Sequence, residues 1–269
     1  QKNGFDVTGL DTSYFDDCIL GGDVPQVPMI RKDVRDVEPS DLEGFDGIIH
    51  LAALSNDPLC DLNPDLTYAV NHRASVNIAK MAKDVGVKRF VFASSCSTYG
   101  AAGDELINEE GKLNPVTAYG ESKVFVERDV REIADANFTP TFLRCATAYG
   151  ASPRLRFGVV LNSLVAWAYT TGRIYMMSDG TPWRPIVHIE DISRAFVAVL
   201  KASPDLVSGE AFNVGQNKEN YRISELAEIV HEVVPNSHIE YAADAGPDKR
   251  TYRVDFSKIA NTLPDFKPQ

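Results

Sequence analysis

Short apolar runs alternate with longer helical patterns along the first half of the chain. Residues 47–52 and 89–93 are apolar at nearly every position rather than at every second one, which is typical of strands that helices cover on both faces. The alternation predicts βαβ units and therefore a parallel sheet. The expected strands are 5–10, 28–32, 47–52, 89–93 and 139–143.

Two long helices are expected, at 65–85 and 118–136. In the second, apolar residues recur at roughly helical spacing and mark one buried face; they are Val124, Val126, Val130 and Ile133. Beyond Gly150 the pattern changes, with helices expected at 159–171, 189–200 and 224–233 and a strand at 210–214. Ser224 is the expected N-cap of the last of these helices. The whole pattern predicts an α/β fold, a doubly wound parallel (Rossmann-type) sheet with a smaller C-terminal lobe.

Composition narrows the classes of partner. The net charge of −11 over 269 residues disfavours nucleic acid, since a phosphate-binding surface needs clustered Lys and Arg. The four cysteines are scattered without the spacing of a metal site, so we expect no metal and reduced thiols in a cytoplasmic protein. No apolar run approaches the roughly 18–20 residues that span a bilayer, so we expect no membrane partner.

The strongest chemical motif is Tyr-x-x-x-Lys, from Tyr119 to Lys123, which follows a predicted buried strand ending in Ser94 and Ser95. Tyr and Lys four positions apart lie on one helix face, about one turn from each other. A phenol of pKa about 10 is a weak base at neutral pH, and a neighbouring ammonium group favours the phenolate. Ser95 is expected to hydrogen-bond the substrate, because ligands of open parallel sheets bind at the carboxyl ends of the strands. The motif alone occurs by chance in many proteins; the preceding strand is what favours a catalytic role.

With these motifs the chain resembles the extended short-chain dehydrogenase/reductase family, and within it the NAD-dependent nucleotide-sugar epimerases and dehydratases. The resemblance extends over nearly all of the chain. It implies that Ser95, Tyr119 and Lys123 form the catalytic triad, and that Lys123 and Tyr119 also contact the cofactor, Lys123 at the nicotinamide ribose.

The same resemblance implies where NAD would bind. Asp11, after the strand at 5–10, would hold the adenosine ribose hydroxyls, and its charge would favour NAD over NADP. Asp33 and Val34 would contact adenine. The turn beneath the pyrophosphate and nicotinamide ribose would be formed by Leu51, Ala52 and Ala53. Asn71 falls where the family keeps a helix-bending asparagine.

A nucleotide-diphosphate sugar is the implied substrate. Arg184 and Arg250 resemble the two arginines that contact the diphosphate, although Arg253 is a rival for the second position. A guanidinium group offers a planar set of donors that suits a diphosphate. The remaining expected substrate-binding positions are Ser97, Thr147 and Asn162. Thr147 stands where many of these epimerases place an asparagine, so the pocket is expected to differ from the commonest one.

Two further departures from the family pattern refine the expectation. The Gly-x-x-Gly-x-x-Gly loop that would cradle the pyrophosphate is absent, so we expect a chain truncated at its N-terminus. The acidic pair that dehydratases carry after the triad Ser or Thr is replaced by Cys96 and Ser97, which disfavours dehydration. Cys96 itself is either an acid/base thiol, as in relatives that epimerise at C3 and C5, or a small buried side chain; the second interpretation is favoured.

We therefore expect residues 1–155 to form the NAD-binding domain, and residues 156–269 to form mainly the substrate-binding lobe with some segments returning to the first domain. The expected activity is epimerisation of a nucleotide sugar at C4, by transient oxidation and return of hydride. The alternatives are a net oxidoreductase or 4-ketoreductase, a dehydratase, and a catalytically silent NAD-sensing or scaffold protein. The resemblance also implies a homodimer formed through the helices at 65–85 and 118–136.

Overall fold

A computed structural model describes residues 3–20, 24, 26–246 and 248–269 of the chain. Its strands are β1 (Gly9–Asp11), β2 (Met29–Arg31), β3 (Gly47–His50), β4 (Arg89–Ser95), β5 (Ala101–Ile107), β6 (Thr139–Cys145), β7 (Thr147–Tyr149), β8 (Arg173–Ser178), β9 (Trp183–His188), β10 (Ala211–Val214), β11 (Asn220–Arg222), β12 (His238–Gly246) and β13 (Thr251–Val254). Its α-helices are α1 (Asp57–Leu62), α2 (Pro64–Thr67), α3 (Ala74–Asp84), α4 (Ala118–Arg131), α5 (Val160–Thr171), α6 (Ile189–Lys201), α7 (Pro204–Val207), α8 (Ile223–Val233) and α9 (Ser257–Thr262). Short 3-10 turns lie at Asp16–Cys18, Val34–Asp36, Pro39–Asp41, Cys96–Tyr99 and Asn217–Glu219.

The central sheet has four parallel strands in the order β10-β6-β4-β3. Strand β10 comes from the second half of the chain and pairs with β6. Strands β1 and β2 pair in parallel with each other, in a separate two-stranded sheet. The parallel α/β architecture that the apolar runs predict is thus present, and the expected strands of the first half all form, with bounds shifted by a few residues.

Both faces of the central sheet are buried, which explains why its strands are apolar at successive positions. Phe92, on β4, lies opposite Phe142, on β6, and both pack in a core cluster with α3 and α4. On the other face, Val91 and Leu143 pack in a second cluster with α6 and α9. Helices therefore sandwich the sheet and fix the carboxyl ends of β4 and β6 in place.

The C-terminal lobe has its own core, between α5, α8 and strands β8 and β9. Strand β9 lies between β7 and β11, parallel to β7 and antiparallel to β11. Apart from β10, the strands beyond residue 150 were not predicted.

Two helix predictions need correction. The helix expected at 65–85 is interrupted by a π-helical turn at Tyr68–Arg73, with Asn71 buried inside it. Ser224 is not the N-cap of α8, since that helix begins one residue earlier. The Glu225 carboxylate accepts a hydrogen bond from the backbone N–H of Arg222 at 2.6 Å and closes the first turn instead.

None of the described helices is long and apolar enough to cross a bilayer.

Replacing Phe142 with Ala should destabilise the fold strongly, because this side chain is fully buried between sheet and helices. Truncating a buried Phe costs about 3–5 kcal/mol of unfolding free energy. Urea denaturation measures the loss. Tyr169→Ala is the matched control, since Tyr169 lies on α5 and is 84% exposed, and should change stability by less than about 0.5 kcal/mol. Equal losses in the two variants would show that the sheet core is placed wrongly.

Candidate active site

Helix α4 carries the Tyr-x-x-x-Lys motif to the carboxyl end of β4. The helix begins after Thr117, whose hydroxyl accepts a hydrogen bond from the N–H of Gly120 at 3.2 Å. Gly120 allows the close approach of α4 to the turn after β4, because a methyl group at this position would lie 3.1 Å from the Ser97 carbonyl oxygen. Tyr119, Lys123 and Ser95 meet there as the sequence predicts.

Lys123 is buried, with 2% of its surface exposed. Its ammonium group donates to the carbonyl of Ala93 at 2.8 Å and lies 4.5 Å from the centre of the Phe92 ring. The same nitrogen is 5.5 Å from the centre of the Tyr119 ring. Burial disfavours the charged form and lowers the pKa of Lys123 to about 8.

Burial raises the pKa of the Tyr119 phenol above its ordinary value. The Ser95 hydroxyl is near enough to hydrogen-bond the phenol and opposes this shift, the Asp57 carboxylate adds to it, and the Arg156 guanidinium opposes it. From the sequence, the neighbouring Lys123 ammonium is expected to lower this pKa. In the structure desolvation dominates, because both groups lie in the same poorly solvated corner.

The turn after β4 holds the other predicted side chains. The Ser95 oxygen accepts from the N–H of Ser97 at 3.1 Å. The Ser97 hydroxyl oxygen is buried and has no hydrogen-bond partner within the described part of the chain. Cys96 points into the core, where its thiol donates to the Arg144 carbonyl at 3.2 Å and burial raises its pKa. This placement favours the interpretation of Cys96 as a packed side chain.

A buried ion pair holds α4 against β6. Glu127 lies two turns beyond Tyr119 on the same helix, and its carboxylate accepts from the Arg144 guanidinium at 2.7 Å and 3.0 Å. Ser94 donates to the same carboxylate at 2.5 Å, and Arg144 also donates to the Tyr99 hydroxyl at 3.0 Å. Removing one partner of such a pair would leave the other charge buried and unpaired. Glu127 was not predicted as a site residue, although its eight-residue spacing from Tyr119 places it on the same helix face.

The residues expected to contact NAD lie at the carboxyl ends of strands and in the loops that follow. Asp11 ends β1, and its carboxylate accepts from the N–H of Ser13 at 2.7 Å. The Asp33 carboxylate binds the Arg35 side chain at 2.8 Å and 2.9 Å, and this pairing lowers its pKa. Val34 begins the adjoining 3-10 turn.

Asn71 fixes the segment that follows β3 through two hydrogen bonds to the backbone of Leu54. Leu51 is 60% exposed, and Ala52 and Ala53 are half-buried. The Asn71 side chain accepts from the N–H of Leu54 at 2.7 Å and donates to its carbonyl at 2.8 Å. The helix-bending role expected of Asn71 thus coincides with the π-helical turn, which also brings this side chain to the loop.

Of the two arginine candidates at the C-terminal end, Arg250 is the one linked to the start of helix α4. Its guanidinium group donates to Asp248 and to Asp57, and Asp57 in turn accepts from the hydroxyl of Thr117. Arg253 lies elsewhere, 4.6 Å from the centre of the Trp183 ring. The structure therefore favours Arg250 over Arg253 as the residue near the site.

Arg184 is buried next to Arg250. It donates to the Arg250 carbonyl and, at 2.9 Å, to the Asp248 carboxylate. Asp248 therefore pairs with both guanidinium groups, and they hold its pKa below the ordinary value against the opposing effect of burial.

Thr147 and Asn162 lie next to the loop between β7 and α5. Thr147 begins β7 and is half-buried. The Asn162 side chain accepts from the N–H of Gly150 at 3.1 Å and donates to the Arg156 carbonyl at 3.0 Å, so both of its groups shape the loop between β7 and α5.

Arg156 reaches from this loop to Ser55, where it donates to the hydroxyl at 2.9 Å and the carbonyl at 2.6 Å. Sequence patterns did not reveal Arg156 or Asp57, because neither lies in a periodic segment.

No group of three or more His, Cys, Asp or Glu side chains in the described residues is arranged to hold a metal ion.

Comparison with known proteins decides the family. Residues 1–215 match the model of the NAD dependent epimerase/dehydratase family. The chain belongs to this family. It is 28% identical over 295 residues to UDP-glucose 4-epimerase of Lactobacillus helveticus, covering 100% of this chain and 86% of that protein. It is 30% identical over 246 residues to UDP-glucuronic acid decarboxylase 1 of Arabidopsis thaliana, covering 89% of this chain but only 54% of that protein.

Solved structures agree on the fold. MoeE5, determined in complex with UDP-glucuronic acid and NAD, superimposes with a TM-score of 0.84 at 25% identity, over 100% of this chain and 87% of that one. The Rossmann-like α/β fold and membership of an NAD-dependent enzyme family are therefore established.

The described residues have groups suited to the adenosine ribose and to the nicotinamide ribose of NAD. Asp11 places a carboxylate, the group that binds ribose hydroxyls, at the carboxyl end of a parallel strand. Lys123 and Ser95 place donors at the end of β4. The chain contains no Gly-x-x-Gly-x-x-Gly segment for the pyrophosphate.

Lys123→Met should change how stability depends on pH. The pKa of Lys123 is about 8 in the fold and about 10.5 when unfolded. Between these values the unfolded chain binds the extra proton, so the wild type gains stability as pH rises, by up to about 3 kcal/mol. The variant lacks this gain. Urea denaturation of both proteins at pH 7 to 10 measures the difference, and a difference that stays constant with pH would contradict the buried, pKa-shifted amine.

Proposed function

We propose that the chain carries the catalytic centre of a nucleotide-sugar 4-epimerase. The observation that carries the proposal is the meeting of Ser95, Tyr119 and Lys123 at the carboxyl end of β4, with Cys96 and Ser97 where a dehydratase would need acids. Transient oxidation and reduction at one carbon needs only one proton acceptor, whereas elimination of water needs a further acid and base. The 28% identity to a UDP-glucose 4-epimerase supports the same activity.

Each of the three side chains has a role in moving one proton. The Tyr119 oxygen accepts the proton of the C4 hydroxyl and later returns it. Ser95 hydrogen-bonds that hydroxyl and the carbonyl formed from it. Lys123 places an amine of pKa about 8 beside the phenol, so that a cation is available near neutral pH. NAD, when bound, supplies the hydride acceptor and a positive charge that favours the phenolate.

The substrate's diphosphate is proposed to bind Arg184 and Arg250, with Ser97, Thr147 and Asn162 nearer the sugar. The positions of these side chains support this arrangement: Ser97 lies in the turn beside Ser95, and Asn162 shapes the loop between β7 and α5. Division into an NAD-binding part at 1–155 and a substrate-binding part at 156–269 belongs to the same proposal. Homodimer formation and a cytoplasmic location stay predictions from the sequence.

A net oxidoreductase is the main alternative, and one measurement separates the two. An epimerase interconverts UDP-glucose and UDP-galactose without accumulating NADH. Stoichiometric accumulation of NADH would favour the oxidoreductase, and tight binding of the nucleotide sugar without turnover would favour a silent binding protein.

Tyr119→Phe should lower turnover of UDP-glucose by at least about 100-fold, because it removes the proton acceptor. The fold should persist, since only one oxygen is lost. Tyr169→Phe, at an exposed position on α5, is the control and should keep full turnover. Undiminished epimerisation by Tyr119→Phe would remove Tyr119 from the mechanism.

Arg250→Ala should weaken UDP binding by about tenfold, the loss expected for a charged hydrogen bond, while uridine binding stays constant. Calorimetry with the two ligands measures this. Arg253→Ala is the matched control, because its guanidinium lies over Trp183 instead. If Arg253→Ala causes the loss and Arg250→Ala does not, the assignment of the second diphosphate arginine is reversed.

A further inference from the structure

Residues 55–61, here called the bridging segment, connect the loop after β3 to three other parts of the site. Ser55 accepts hydrogen bonds from Arg156, as described above. Asp57 and Asp61, one turn apart on α1, both reach the start of α4. Asp57 also pairs with Arg250. The segment therefore contacts the loop before α5, the catalytic helix and the C-terminal arginine.

Asp57 uses its two carboxylate oxygens for different partners. Oδ1 accepts from the Thr117 hydroxyl at 2.7 Å, and Oδ2 accepts from Arg250 Nη1 at 2.6 Å. These partners lie 60 and 193 positions along the chain from Asp57. An acidic residue at the start of a helix is common because of the helix dipole, but that role does not require either distant partner.

The Thr117 hydroxyl transmits the contact to the catalytic helix. Its oxygen accepts from the N–H of Gly120, so its proton is the one donated to Asp57. Asp61 adds a second contact by accepting from the N–H of Ala118 at 3.3 Å. The first turn of α4, which contains Tyr119, is thus held from outside by two carboxylates of the bridging segment.

Asp248 holds the edge of the Arg250 guanidinium group that Asp57 does not contact. Asp248 accepts from Nε at 3.0 Å and from Nη2 at 2.7 Å, a bidentate pair. With Asp248 on one edge and Asp57 on the other, the guanidinium plane has a defined orientation relative to Thr117.

We infer that Asp57 is a positioning residue, which sets the distance between the arginine that binds the diphosphate and the helix that carries Tyr119. A sugar held by its diphosphate at Arg250 must present one carbon to the Tyr119 oxygen, and small errors in that placement cost rate. The inference rests on the proposed function for the role of Arg250 as a diphosphate ligand. The link between Arg250, Asp57 and Thr117 is a separate, physical claim.

Hydrogen exchange of the backbone amides at 118–123 tests the link without requiring turnover. Arg250→Ala should accelerate exchange there by about threefold, the size expected from losing a partly exposed ion pair. Asp57→Ala should accelerate it at least as much. In the double variant, Arg250→Ala should add nothing, because its effect passes through Asp57. Amides at 126–130, near the Glu127–Arg144 pair, should be unchanged in all of these variants.

Asp65→Asn is the charge-matched control, at an exposed position just beyond the bridging segment, and should exchange like the wild type. Asp57→Asn keeps an oxygen for Thr117 but loses the charge that attracts Arg250, so it should behave as Arg250→Ala does. Additive effects of Asp57→Ala and Arg250→Ala, or equal acceleration at 126–130, would overturn the inference.

UDP separates this inference from the proposed function. Saturating UDP should alter exchange at 118–123 in the wild type and in Asp65→Asn, but not in Asp57→Ala. If the wild type fails to bind UDP, the proposed substrate class is wrong while the variant cycle still decides the role of Asp57. If UDP binds and alters 118–123 equally in Asp57→Ala, the positioning role is wrong while the substrate class stands.

Discussion

A lysine amine held against the carboxyl end of a buried strand is the constraint on which the rest of the site depends. The Lys123 ammonium group donates to the Ala93 carbonyl and lies against the Phe92 ring. Removing an ammonium group from water is costly, and here the cost appears as a pKa near neutrality. The same nitrogen lies 5.5 Å from the centre of the Tyr119 ring, so the amine and the phenol share one poorly solvated corner.

Such an arrangement requires that the helix cannot move relative to the sheet. Two sets of contacts contribute to holding it near Tyr119. The buried pair of Glu127 and Arg144 binds the middle of α4 to β6. Asp57 and Asp61 bind its first turn to the segment after β3. Tyr119 lies between these two attachments, so its position is determined from both sides.

The sequence predicted the parallel sheet and the placement of Ser95, Tyr119 and Lys123 at one sheet edge because these depend on local patterns. Continuous apolar runs mark β3 and β4, and the spacing of Tyr119 and Lys123 is a property of any helix. Asp57 and Arg156 were missed because their partners are distant in sequence and their loops have no period. The direction of the Tyr119 pKa shift was also missed, since desolvation depends on packing that the sequence does not display.

The strands of the C-terminal lobe were missed for a related reason. Strands β11 and β13 are short and mix charged and aromatic residues, as Arg222 and Arg253 around Trp183 illustrate. Their pairing is fixed by neighbours rather than by an alternating pattern. Ser224 was predicted as the N-cap of α8 from its residue type alone. The helix instead begins at Ile223, and the Glu225 carboxylate closes its first turn by accepting from the N–H of Arg222.

Isotope retention tests the central claim, transient oxidation at one carbon, most directly. UDP-glucose carrying deuterium at C4 is incubated with the protein and NAD, and the UDP-galactose formed is analysed by mass spectrometry. If Tyr119, Ser95 and Lys123 act on one carbon as proposed, the product keeps its deuterium at C4, because the hydride that leaves returns to the same molecule. Loss of the deuterium to the solvent or to free NADH would contradict the account.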